Sequence, residues 1–408
     1  MRGGCALLAF LSVVSCGGGG NSLGAATPPV QPAANVVAAV VDGGPPGLSA
    51  LSVNTLYTTV TVCVPGSTTE CQTIDHIQVD TGSSGLRLLA PALTLSLPVT
   101  ASSSGASLLE CMVFVDGYSW GPVSRVDLQV AGESAKSVLV QLIGDSRFPN
   151  VPSDCASTGS AEDTVAAFGA NGIMGIGPLA QDCGPACATQ AVPAFYYSCN
   201  AATCQNAMVS LASQVPNPVT LFATDNNGAI IVLPNVATDG AASVAGSLIF
   251  GIDTESNNQL GTVTVLSLDA TSGGYLTTIF NGQTLTLSFV DSGSSALYFN
   301  DPSIALCSSS GFSGLYCPAS AQNFGATLQG QDANGTSTGI SIPESFTVAN
   351  AEAQAQAEPA FTAFPELGGV FGTAGSFDWG LPFFYGRRIA VAIQDSPTTA
   401  GPGPFIAL

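Results

Sequence analysis

Two segments of this 408-residue chain repeat one another. In the first, Ile77-Gln78-Val79-Asp80-Thr81-Gly82-Ser83-Ser84-Gly85-Leu86-Arg87-Leu88, an apolar run ends in Asp-Thr-Gly-Ser-Ser and then resumes. In the second, Leu287-Ser288-Phe289-Val290-Asp291-Ser292-Gly293-Ser294-Ser295-Ala296-Leu297-Tyr298-Phe299, the same happens through Asp-Ser-Gly-Ser-Ser. The aspartates stand 211 positions apart, about the length of one lobe. Asp/Gly/Ser turns are common in β-proteins, so a single copy would say little. Two copies, each directly after an apolar strand, demand the same local unit twice. The repeat predicts a two-lobed body that presents Asp80 from one half and Asp291 from the other.

Those residue types suit one chemistry. Two carboxyls held close cannot both ionise easily, so they share a proton and titrate as a unit. The ionised member can act as a base toward water while the protonated member polarises a substrate carbonyl. That is peptide hydrolysis without a metal or a nucleophilic side chain, and no cofactor is expected. Gly82 and Gly293 allow a sharp turn that brings backbone N–H groups to the carboxylates. The hydroxyls of Thr81 and Ser292 can bond across the pair. Those of Ser83 and Ser294 can donate to the outer carboxylate oxygens and fix their orientation.

The rest of the chain reads as β-structure. Charged residues make up 8 %, against about 25 % in ordinary soluble domains, and Gly, Ser, Thr, Ala and Val take their place. Short apolar or alternating runs recur between turn signals: 56–62, 74–79, 126–130, 229–233, 247–250, 262–267, 284–290 and 389–393. Residues 204–214 and 302–306 are read as helices, with a further turn after Phe383. The Ala/Glu/Gln stretch 349–358 has no apolar stripe and is read as a surface loop. The expected division is an N-terminal lobe over 37–240 and a C-terminal lobe over 241–408.

The formal net charge of −20, with seven Lys plus Arg, argues against nucleic acid, which needs clustered cations. One histidine, His76, cannot build a histidine metal site, and a solvated or strand-face role is expected for it. At the N-terminus, Arg2 and the apolar stretch Ala6 to Val14 read as an export signal too short to span a membrane. It ends in Ser15-Cys16 followed by four glycines. This resembles a bacterial lipoprotein signal (1–16) with Cys16 as the lipidated residue. An ordinary cleaved signal is the alternative. Gly17 after that cysteine points by resemblance to the outer membrane, and 17–36 reads as a flexible tether. Membrane contact is expected through that anchor alone. Ten cysteines follow Cys16, an even number that in an exported protein reads as disulfides. Cys63 with Cys71, and Cys307 with Cys317, each bracket a short turn and are expected to pair. Imperfect spacing argues against zinc at Cys183, Cys187, Cys199 and Cys204.

The two Asp-(Thr/Ser)-Gly motifs resemble the paired signatures of pepsin-like aspartic peptidases. Further segments follow that family's order. Asn171 to Gly177 resembles its apolar-Gly segment behind the first aspartate, Gly246 to Asp253 its strand and turn in the second half, and Trp379 to Tyr385 its second apolar-Gly segment. In detail the chain is similar to a bacterial lipoprotein family catalogued as domain of unknown function 3443. The resemblance implies a mainly β, bilobal double barrel with pseudo-two-fold symmetry and an inter-lobe cleft. It also implies a monomeric aspartic endopeptidase acting on peptide or protein through Asp80 and Asp291. In this chain Arg87 stands where the family has an aromatic residue, and Leu381 follows Gly380 where it commonly has Asp. The flap, expected near 114–123, aligns poorly, with Tyr118 as candidate flap tyrosine and Phe114 and Trp120 as rivals. The altered flap keeps a second reading open, a non-catalytic envelope lipoprotein that grips peptide, polysaccharide or a protein partner.

Overall fold

The computed structural model describes residues 33–200, 203–271 and 273–408. Strands take 42 % and helices 10 %, so the chain is mainly β as expected. Two large sheets organise it. The first runs through the strands of the first half and continues into a shared six-strand section. In spatial order that section consists of Val36–Val41, Val244–Phe250, Gly228–Val232, Arg388–Ala392, Phe405–Ala407 and Val265–Ser267. The second sheet, of seven strands, is built wholly from the second half. The residue 240 boundary between lobes therefore falls inside the shared sheet, between two of its paired strands.

Alternation explains the inward faces. In Cys71–Asp80, the side chains of Ile74, Ile77 and Val79 enter the core. The spacing from Ile74 to Ile77 breaks period two because the register with Leu56–Cys63 shifts there. His76 sits in this irregularity with φ +49°, a local bulge that re-aims the end of the strand. Its ring lies edge-on to Tyr57, with centroids 5.2 Å apart, and 3.4 Å from Asp42, a strand-face role.

Three local expectations are corrected. Residues 351–357 form an α-helix rather than a loop. Asn350 caps it by accepting from the Ala353 N–H at 2.9 Å, and the Ala/Glu/Gln run has strong helix propensity, so one buried alanine suffices in place of a stripe. Residues 204–214 are not a helix: Cys204–Asn206 pairs with Tyr196–Cys199, and Cys199–Cys204 closes that hairpin. Residues 302–306 also lack a helix, while Leu381–Phe384 is a single 3-10 turn. Cys63–Cys71 and Cys307–Cys317 are bonded as expected, and the remaining pairs are Cys111–Cys155 and Cys183–Cys187. Cys16 and most of the tether lie outside the described residues. The tether's last residues do not behave as one: Asn35 is buried and donates to the Phe250 carbonyl at 2.9 Å, and Val36 opens a strand.

Candidate active site

Each aspartate ends a strand that is gripped from behind in the same way. Cys71–Asp80 lies parallel to Gly172–Ile176, and the chain returns after the turn as Ser84–Leu89, antiparallel to that same strand. In the second half, Gln283–Val290 lies parallel to Asp378–Trp379, and Leu297–Tyr298 returns antiparallel to it. The segments expected behind the aspartates, 171–177 and 379–385, contribute these central strands. The repeated motif is thus a repeated three-strand knot, and the turns at its two copies meet.

The meeting is reciprocal. The Thr81 hydroxyl donates to the Val290 carbonyl at 2.9 Å and accepts the Ser292 N–H at 2.9 Å. The Ser292 hydroxyl donates to the Val79 carbonyl at 2.7 Å and accepts the Thr81 N–H at 3.2 Å. Gln78 adds a further bond to the Gly293 carbonyl at 2.8 Å. Each carboxyl is then oriented locally. Asp80 Oδ1 accepts the Gly82 N–H at 2.7 Å, and its Oδ2 accepts the Ser83 hydroxyl. Asp291 Oδ1 accepts the Gly293 N–H at 2.7 Å, and its Oδ2 accepts the Ser294 hydroxyl at 2.8 Å. The two carboxyls converge on the backbone of Gly293: a Cβ there would stand 3.0 Å from Asp291 Oδ1 as well as close to Asp80. Both glycines are fixed by close approach: a Cβ on Gly82 would stand 2.7 Å from Asp291 Cγ, and one on Gly293 would stand 2.7 Å from Asp80 Oδ1. Burial, then the charges of Asp80 and Asp378, push Asp291 well above the usual carboxylate range.

The pair opens into a cleft of about 860 Å³. Its roof includes the tip of the hairpin formed by Ser107–Val113 and Gly117–Val130, with Phe114, Val115 and Asp116 facing it. Tyr118 and Trp120 do not line it. Both are buried behind the hairpin with Cys111, Cys155 and Tyr197, where Trp120 packs edge-on to Tyr197 at 5.2 Å. The flap-tyrosine role expected for one of them belongs to neither. Strand alternation is the reason: both fall on the face turned from the cleft, and Phe114 at the tip is the aromatic that reaches it.

Arg87 is completely buried. Its guanidinium donates to Glu110 on the flap strand at 2.6 Å, to Asp182 at 3.2 Å and to the Ser84 carbonyl at 2.8 Å. Asp182 also accepts the Tyr196 hydroxyl at 2.7 Å, and that oxygen accepts the Val215 N–H at 2.7 Å. Burial and the neighbouring Glu110 raise Asp182 far above an ordinary aspartate. The network ties the returning arm of the first knot to the root of the flap.

Sequence reasoning missed Glu110, Asp182, Tyr196, Asp116, Glu162 and Asp378. A signal existed for two of them. Glu110 interrupts Leu108-Leu109-Glu110-Cys111-Met112-Val113, and Asp378 sits between Phe377 and Trp379. Acids at such positions are costly unless paired or neutral. On the cleft rim, burial and Asp116, to which it is hydrogen-bonded, push Glu162 up to about 8. Elsewhere, burial and Asp225 push Glu133 up to about 7. A carboxyl raised in this way binds more protons folded than unfolded. Its stabilisation is full below the unfolded value, near about 4, and is lost as pH climbs through the raised one. Asp127 opposes this at the acid end: the Gly66 and Ser137 N–H groups and Lys136 lower it against burial. We expect Tm, followed by calorimetry, to be several degrees higher at about pH 5 than at about pH 9. A Tm that rises over that interval would refute the protonated carboxyls.

The fold and motifs find counterparts elsewhere. The structure superposes on the crystal structure of the aspartic proteinase from Irpex lacteus with a TM-score of 0.51 at 15 % identity, covering 92 % of this chain and 96 % of that one. At that identity the likeness establishes a pepsin-like fold and nothing finer. No curated protein sequence matches the chain. A family model described as "Protein of unknown function (DUF3443)" matches residues 31–408, a range that takes in every described residue. The chain belongs to the DUF3443 family.

Proposed function

We propose that this protein is an aspartic endopeptidase that hydrolyses peptide bonds with water activated between Asp80 and Asp291. The observation that carries this reading is the pair of converging carboxyls on the floor of the cleft, held by mirrored bonds from Thr81 and Ser292. Asp80, oriented by the Gly82 N–H and Ser83, takes a proton from the attacking water. Asp291, protonated, donates to the scissile carbonyl and stabilises the charge that develops there. The tetrahedral intermediate then collapses as a proton passes from the pair to the leaving amine. The groove between an N-terminal and a C-terminal lobe accommodates an extended peptide beneath the Phe114–Asp116 tip. In the cell the enzyme is exported and held by a lipid on Cys16 at the outer membrane, where it meets peptide or unfolded protein.

Digestion of a peptide library tests this. Cleavage is expected in acid, blocked by a statine-type transition-state analogue. It should fall as pH rises through the raised value of Asp291, because a pair that loses its one shared proton has no acid left. A second reading rests on Tyr118 being turned from the cleft: the same groove grips peptide without cutting it. Peptide binding with no turnover at any pH would replace the first reading with the second.

A further inference from the structure

Beside the aspartate pair lies a third carboxyl that the hydrolytic reading does not use. Asp378 is 1 % exposed, yet it lines the cleft. Its place in the sheet shows how. Asp378 pairs with Phe289 on one side and with Tyr298 on the other. Side chains opposite one another across neighbouring strands share a face, and all three of these residues line the same cavity. The next residue along, Trp379, turns into the core with Val290 and Leu297. Asp378 therefore occupies a cleft-facing position beside aromatic neighbours, immediately behind Asp291.

Among the described residues, none satisfies it. Neither carboxyl oxygen has a hydrogen-bond partner. The hydroxyl of Ser294 is close by, but its single proton is donated to Asp291 at 2.8 Å. Among the described residues lining the cleft, none is Lys, Arg or His, and five are acidic: Asp80, Asp116, Glu162, Asp291 and Asp378. A buried carboxyl without a partner is costly to keep, and burial pushes Asp378 well above the usual carboxylate range. A cation brought alongside would reverse that balance by pairing with the carboxylate. Phe289, itself packed on Phe371 at 5.9 Å, offers an apolar wall for the methylene stem that carries such a cation.

We propose that Asp378 is the floor of a subsite that takes the lysine or arginine side chain of a bound peptide, so that the cleft selects cationic peptides. This rests on the reading of the groove as a peptide site. Its chemistry is charge pairing in a water-poor pocket, where a site built for a charged group rejects an isostere that lacks it far more strongly than an apolar pocket rejects an extra methylene.

The test compares peptides that carry lysine or norleucine at each position in turn, the two sharing an aliphatic stem but differing in charge. Binding is read by fluorescence anisotropy on the Asp80→Asn protein, and cleavage on the otherwise unaltered protein, both at about pH 5. At one position lysine should be favoured by at least about tenfold. Asp378→Asn, which keeps the shape, and Asp378→Leu, which suits the aromatic surroundings, should each bring the ratio to within about twofold of unity. Melting curves of both variants establish that the fold is retained. A ratio near one at every position, or a ratio unmoved by both substitutions, overturns the proposal. Cleavage without lysine preference leaves the peptidase reading standing and removes this one. Lysine-selective binding without cleavage does the reverse, and failure to bind any peptide removes both.

Discussion

Asp80→Asn and Asp291→Asn are each expected to lower kcat/KM on a fluorogenic peptide by at least about 10⁴-fold, with the double variant little worse than either single one. The two carboxyls act as one device. Asparagine at 80 cannot take a proton from water, and asparagine at 291 cannot give one to the scissile carbonyl. Either change should leave Tm unchanged or raise it, because each removes one of two like groups forced together in a desolvated floor. The asparagine Oδ1 can still accept the glycine N–H, and its Nδ2 can donate to the serine oxygen once that hydroxyl turns its own proton away. Loss of activity with retained stability separates chemistry from architecture. Activity within tenfold of the parent for both variants would show that another group carries the reaction.

Arg87→Leu is expected to be the most damaging single substitution outside the carboxyl pair. It leaves Glu110 and Asp182 facing each other in the interior with no cation. Breaking a buried ion pair from one side costs about 3–5 kcal/mol, which for a body of this size corresponds to a fall in Tm of roughly 5 °C. The loss should be local as well as global. Amide exchange should quicken across Ser107–Val113, because Glu110 anchors that strand to the arm behind Asp80. Adding Glu110→Gln and Asp182→Asn to Arg87→Leu should recover much of the stability, since the burden lies in the orphaned acids more than in the absent arginine. If Arg87→Leu alone melts with the parent, the network contributes no stability.

How far the chain could be read in advance follows from the range over which each signal acts. The knots were legible because their pattern is local and doubled. An apolar run into Asp-(Thr/Ser)-Gly fixes strand, turn and carboxyl within five residues, and the second copy fixes the partner. Cys63–Cys71 and Cys307–Cys317 were legible for the same reason. The flap was misread because Tyr118 lies one pleat from the tip, and which face of a hairpin meets the cleft is decided by packing against Tyr197 and the Cys111–Cys155 bond, both distant in sequence. Arg87 stood out as a departure from a pattern, yet its partners lie 23 and 95 residues away and carry no signature of their own. Helix 351–357 was missed because a seven-residue helix held by its cap and by alanine propensity shows no stripe.

The five disulfides have a consequence for how this protein can be made. Every cysteine among the described residues pairs with the next one along the chain: Cys63–Cys71, Cys111–Cys155, Cys183–Cys187, Cys199–Cys204 and Cys307–Cys317. Ten thiols allow roughly nine hundred pairings, and this one alone results if each thiol is oxidised with its immediate successor. A chain threaded N-terminus first through a narrow passage into an oxidising space meets its oxidant in that order, so nearest-neighbour capture yields the native set without later shuffling. The shared sheet, by contrast, cannot close until Phe405–Ala407 arrives. The crosslinks can therefore be complete in a chain whose two halves have yet to join.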